Sequence, residues 1–163
     1  MIVTSILLSL VFVFAPAQAT PEISDAQKKE FIELLKKLPT KGEFYTEEAV
    51  QKAAPHLPVF FALTEADIKK YDIYPFLALS RGLADKKEHR DYAVEHFNEV
   101  RHPTLKLSWG VILFMHNEPS AQVVRFLRDA LNSKPQAKVL SEMLGPEFES
   151  FQKRVKAYPD EKK

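Results

Sequence analysis

The chain has 163 residues and carries 23 Lys and Arg against 22 Asp and Glu, so its net charge of +1 leaves no basic footprint for nucleic acid. It contains no cysteine, which excludes disulfides, thiol nucleophiles and Cys-ligated zinc, iron–sulfur or haem centres. Its length suits one ordinary domain, whose stability must come from burial.

Residues 1–19, MIVTSILLSLVFVFAPAQA, bear no charged side chain. The apolar run from Ile2 to Phe14 falls short of the roughly 20 residues of a membrane-spanning helix but suits the core of a secretory signal. Ala17-Gln18-Ala19 then supplies the small-x-small pattern of a signal-peptidase site. The expectation is cleavage after Ala19, an extracytoplasmic (periplasmic or secreted) protein starting at Thr20, and no membrane span afterwards. The n-region offers only the amino terminus as positive charge, a departure from the usual basic start.

Beyond the leader the apolar residues recur at spacings of three and four, and only four glycines interrupt them, at 42, 82, 110 and 145. Strand alternation is hard to find. Ser24 with Gln27 reads as a capped helix start, with Phe31, Leu34, Leu35 and Leu38 on one face before Pro39. Thr46 caps a shorter helix, with Ala49, Val50 and Ala53 inward and Pro55 as its stop. For Val59 to Leu63 periodicity allows a buried strand or a buried helical turn; helix is favoured because Thr64-Glu65-Ala66-Asp67 restarts one at once. Asp72 and Pro75 open the next helix, burying Phe76, Leu77, Leu79 and Leu83.

A helix from Glu88 to Arg101 places Tyr92, Ala93, His96, Phe97 and Val100 inward, with Arg90, Asp91, Glu95 and Asn98 largely opposite. Leu105 to His116 is apolar nearly all round and therefore has to be enclosed by neighbours. Asn117 and Pro119 open a helix through Leu131, with Val123, Val124, Phe126, Leu127, Ala130 and Leu131 inward. Pro135 and Gly145 bracket another, holding Leu140, Met143 and Leu144. Pro146 starts the last, with Phe148, Phe151, Val155 and Tyr158 inward, and residues 159–163 form a polar, disordered tail. The fold class is all-α: one domain over 20–158.

Leu79-Ser80-Arg81-Gly82-Leu83, Leu107-Ser108-Trp109-Gly110-Val111 and Leu140-Ser141-Glu142-Met143-Leu144 recur at offsets of 28 and 33 residues. Each precedes a more amphipathic helix. Over about residues 73–158 this layout resembles HEAT-like helical repeats, short α-solenoids of stacked helix pairs, although the period is shorter than their roughly 40–47 residues. A compact irregular helical bundle is the other architecture compatible with the pattern.

Motif chemistry is sparse. Glu99 and His102 have the i, i+3 spacing of di-iron helical proteins, yet no second Glu-x-x-His accompanies them, so neither a metal nor a cofactor is expected. Asp91, Glu95 and Glu99 at i, i+4 read as a solvated helix face. His96 reads as a hydrogen-bonded core histidine, Trp109 as a packing residue, and Ser80 and Ser108 as small residues on apolar helices. The expected function is non-enzymatic recognition of another protein or a peptide, through Asp91, Glu95, Gln122, Arg125 and Asp129 on the half-polar helices. The competing reading is a small helical-bundle enzyme or ligand-binding protein. It would use the His-rich helix 88–102, or an aromatic pocket of Phe60, Phe61, Tyr71, Tyr74 and Phe76, and would require the histidines to share one cavity.

Overall fold

The computed structural model describes residues 22–41, 44–117 and 119–159. The expected signal peptide, its cleavage site and residues 160–163 of the tail lie outside the described residues. Ten α-helices are described: α1 (Asp25–Lys37), α2 (Glu47–Ala53), α3 (Leu57–Ala62), α4 (Glu65–Ile68), α5 (Tyr74–Ala84), α6 (Lys87–Glu95), α7 (Pro103–Met115), α8 (Ala121–Asn132), α9 (Lys134–Leu144) and α10 (Phe148–Ala157). Between α1 and α2 lies a small antiparallel ribbon, β1 (Thr40–Lys41) with β2 (Phe44–Tyr45), pairing Thr40 with Tyr45 and Lys41 with Phe44. Two-residue strands are too short to leave an alternation in the sequence. Among the described residues no helix is long and apolar enough to cross a membrane.

Local signals set most helix starts. The Ser24 hydroxyl accepts the Gln27 N–H while the Gln27 side chain reaches back to Ser24, and Thr64 with Asp67 repeats the arrangement at α4. Thr46 caps α2 through the Ala49 N–H, and the Asp72 carboxylate accepts the Tyr74 N–H at the head of α5. At α8 the cap is Ser120, not Asn117; Asn117 instead takes a left-handed φ of 58° just after α7. Pro55 does not stop the chain's helical course. It sits in a 3₁₀ turn, Ala54–His56, where its missing N–H leaves no gap, and α3 follows directly. Val59 to Ala62 are therefore helical and buried. The helix expected to run to Arg101 ends at Glu95, with a 3₁₀ turn at Phe97–Glu99.

Side chains from other elements close several helix ends. His89 Nδ1 lies 2.9 Å from the Leu83 carbonyl, and Arg90 donates to the Ala84 carbonyl at 2.7 Å, so α6 satisfies the last acceptors of α5. Arg90 is half-buried as a result, and not on the solvated face. Arg128 of α8 likewise donates to the Val155 and Tyr158 carbonyls at the end of α10. Lys28, almost wholly buried, bridges α1 to α4 through Asp67 at 3.3 Å.

The core is organised about α7, which is buried around most of its circumference and contacts α5, α6 and α8. Trp109 is fully buried, with the Phe61 ring edge-on at 5.5 Å. Phe114 meets Phe151 and Tyr158, carrying the core to α10. Phe126, expected inward, is only half-buried; it meets Phe97 edge-on at 5.3 Å, and Lys106 lies over both rings. Two glycines allow close helix contact. A Cβ on Gly82 would lie 2.7 Å from Val50 Cγ2 of α2, and one on Gly110 would lie 3.1 Å from Leu127 Cδ2 of α8.

Two stability outcomes follow from this packing. Trp109→Ala is expected to lower unfolding free energy by about 3–5 kcal/mol, the range for deleting a large buried aromatic, measured by denaturant midpoint. Gly82→Ala is expected to cost about 1 kcal/mol despite alanine's better helix propensity, because Val50 is β-branched and cannot rotate away. Combining it with Val50→Ala should restore part of that loss, which a double-mutant cycle measures.

Candidate functional site

Helix α5 carries two stripes. Phe76, Leu79, Ser80 and Leu83 face the core and are buried, with the Ser80 hydroxyl donating to the Phe76 carbonyl at 3.0 Å. Tyr74, Leu77, Ala78 and Arg81, spaced three, four and seven apart, form a second stripe along the wall of an open groove of about 860 Å³. Phe44 and Tyr45 of the ribbon flank this groove. Thr104 and Ser108, one turn apart on α7, and Val139, Glu142 and Met143 of α9 also line it. Tyr74 is 72% exposed and Phe44 53%; among the described residues the other exposed large apolar side chain, Met115, is 43% exposed. Half-burial of Tyr45 raises its phenol pKa.

The charges on this groove are unequally engaged. Asp72 is occupied at the head of α5, and Glu142 lies 3.8 Å from Lys138. Arg81 is exposed and has no hydrogen-bond or ion-pair partner among the described residues.

A second groove, about 540 Å³, runs between α2 and the start of α6, lined by Val50, Gln51, Gly82, Asp85 and His89 among others. The Glu47–Lys86 ion pair, at 3.2 Å, joins two of its walls. Because a carbonyl only accepts, His89 donates from Nδ1 to Leu83, and its primary task there is to close α5.

The histidine-rich segment does not converge. His89 lines the second groove; His96 is half-buried, stacked on Tyr92 at 4.2 Å and donating from Nδ1 to Glu99 at 2.9 Å; His102 is buried at the head of α7. His96 is thus hydrogen-bonded but lies at the surface edge and not within the core, because α6 ends before it. Tyr92 has its pKa raised by burial and by the nearby charges of Glu99 and Glu95. Glu99 turns to His96, leaving the Glu99/His102 spacing unused. Among the described residues no group of three or more His, Asp or Glu is placed to hold a metal ion.

The five residues expected to recognise a partner are all exposed. Asp91 pairs with Lys87 at 2.6 Å, and Glu95 Oε2 stands 4.0 Å from His96 Nε2. Gln122, Arg125 and Asp129 share the outer side of α8. None of the five lines either groove. The expected aromatic pocket divides: Phe60, Phe61 and Phe76 are core, Tyr71 lies beneath Lys36, and Tyr74 alone reaches the larger groove. Phe44, Arg81, Val139 and Met143 carry no binding role in the sequence pattern. The available signal was the second stripe on α5, whose apolar positions extend beyond one core face.

No family model, curated protein or solved structure matches the chain.

His102 yields a pH outcome. Burial lowers its pKa below the ordinary value of 6.5, the charge of Glu65 only partly opposing this, and its Nδ1 has no partner among the described residues. The unfolded chain consequently binds more protons than the folded one as pH falls through the ordinary histidine range. Stability is therefore full above that range and declines below it, towards the depressed folded pKa. Denaturation midpoints from pH 7.5 to 5 should fall in the native protein and fall less in His102→Gln.

Proposed function

We propose that the chain is an exported, non-enzymatic helical module that binds an extended segment of another protein in the groove between the ribbon, α5, α7 and α9. The observation that carries this reading is the placement of Phe44 and Tyr74, two strongly exposed aromatic side chains, on the walls of one groove with apolar residues from α5 and α9 between them. An extended chain suits this site because Thr40, Phe44 and Tyr45 of the ribbon and the outer stripe of α5 line one groove, and strand addition is a common way to hold a peptide. Alternate side chains of such a segment would then reach the aromatic wall.

The distribution of acid–base groups supports binding over catalysis. A helical-bundle enzyme built on the His-rich segment needs His89, His96 and Glu99 around one cavity, and they serve α5, Tyr92 and one another instead. A stacked HEAT-like arrangement over 73–158 draws support from contacts of α5 with α7 and of α8 with α10, whereas α7 with α9 and α6 with α8, the other contacts such a stack calls for, are not comparably close. Export rests on the composition of residues 1–19, and amino-terminal sequencing of the extracytoplasmic protein should begin at Thr20.

Selection of a displayed random-peptide library on the purified protein tests the binding reading. Enriched peptides should protect amides of α5 and α9 from hydrogen exchange. Phe44→Ser and Tyr74→Ser should each weaken their binding about tenfold or more while moving the denaturation midpoint by no more than about 0.5 kcal/mol equivalent. A footprint on Asp91, Glu95, Gln122, Arg125 and Asp129 would transfer the function to the half-polar helices. Failure to enrich any peptide would overturn the reading.

A further inference from the structure

We infer, resting on the groove's role as a peptide site, that the bound segment carries a carboxylate seated on Arg81, making Arg81 the residue that sets specificity. Arg81 belongs to the same stripe of α5 as Tyr74, Leu77 and Ala78, so a chain lying against those residues passes its guanidinium. The groove's two acids have local partners, Asp72 at the Tyr74 N–H and Glu142 with Lys138, whereas Arg81 has none among the described residues. Arg81 shares the groove lining with the apolar Leu77, Ala78, Val139 and Met143. Its planar fork matches a carboxylate in two-point geometry. Asp72 and Glu142 disfavour a second negative charge, so the complementary segment is apolar with a single carboxylate. That carboxylate belongs to an Asp or Glu side chain or to a chain terminus, chemically equivalent at Arg81.

Four synthetic hexapeptides of alternating Phe, Thr and Leu separate the possibilities when titrated against the full protein by fluorescence anisotropy. One is capped at both ends with a central Gln, one capped with a central Glu, one capped with a central Lys, and one has the central Gln and a free carboxyl terminus. The inference predicts that the Glu peptide, the free-terminus peptide or both bind about five- to tenfold tighter than the capped Gln peptide, the gain shrinking with added salt. Which of the two gains identifies the source of the carboxylate. Arg81→Gln should erase that gain, and Arg81→Glu should make the Lys peptide the tightest. Circular dichroism and the denaturation midpoint check that both variants keep the fold. Equal binding of all four peptides, or a preference for Lys in the native protein, overturns the role of Arg81 while leaving the groove's role intact. Absence of binding by every peptide removes the groove reading and this inference with it.

Discussion

An apolar helix cannot be left half in water, and α7 is apolar around nearly all of its surface, so the rest of the fold is arranged as its cover. Leu105, Leu107, Trp109, Val111, Leu113 and Phe114 between them face several directions, and all are buried. One neighbour could cover at most one stripe; α5, α6 and α8 are all drawn against it, and Phe61 of α3 and Phe151 of α10 extend the enclosure through Trp109 and Phe114. Such enclosure needs close approach as well as apolar side chains. Gly110 gives Leu127 its place, and Gly82 does the same for Val50 on the far side of α5. The recurring Leu-Ser-x-Gly segments thereby acquire a physical meaning. Leu79 and Leu107 fill the core, Ser80 and Ser108 are small and buried, and each glycine admits a neighbouring helix. In the third copy Leu140 is buried, but Ser141 is exposed and Met143 stands where the glycine would be. Helix α9 lies at the margin, where neither small residue is required.

That central demand explains where a binding surface can form. Residues facing α7 are committed to the core, so the proposed recognition needs helices with a second usable side. Helix α5 is such an element: its inner stripe packs, while its outer stripe from Tyr74 to Arg81 contacts β2 and lines the groove together with α9. The ribbon holds Phe44 and Tyr45 at the groove, and its short pairing is supported by the Thr46 N–H donating to the Pro39 carbonyl at 3.1 Å. The groove is consequently a by-product of covering α7 with helices whose outer sides do not meet.

The parts of this structure legible in the sequence are those governed by neighbours within about four residues. Ser24 with Gln27, Thr46, and Thr64 with Asp67 act locally, and the helices they start were readable for that reason. The all-round apolarity of α7 also announced its burial. Less legible was anything set by distant partners. Arg128 closes α10 across about thirty residues of sequence, and Lys28 reaches Asp67 from another helix; no spacing rule connects such pairs. Helix α6 ends at Glu95 although its apolar spacing runs on to Val100, because a 3₁₀ turn keeps Phe97 and Val100 buried while changing the backbone. The apolar spacing points His96 into the core for that reason, and the larger groove leaves no pattern in the sequence because its walls, the ribbon, α5, α7 and α9, come from segments far apart in the chain.

The polar residues divide by the same logic. Burial of α1 against α4 retains an ionised pair: burial alone would raise the Asp67 pKa, but hydrogen bonds from Thr64 and Lys28 outweigh it and leave the carboxyl below its ordinary range. His89, Arg90 and Arg128 give their donors to helix-end carbonyls, and His96 gives its own to Glu99. Lys106, whose pKa is lowered by burial, lies over Phe97 and Phe126. These groups have structural work that a bound ligand would have to interrupt, and interrupting it exposes an unsatisfied carbonyl or an unpaired buried charge, each costing about 1–3 kcal/mol or more. Recognition is cheapest where no such bond must first be broken. Arg81 meets that condition in the larger groove, whereas the exposed acids of α6 line neither groove.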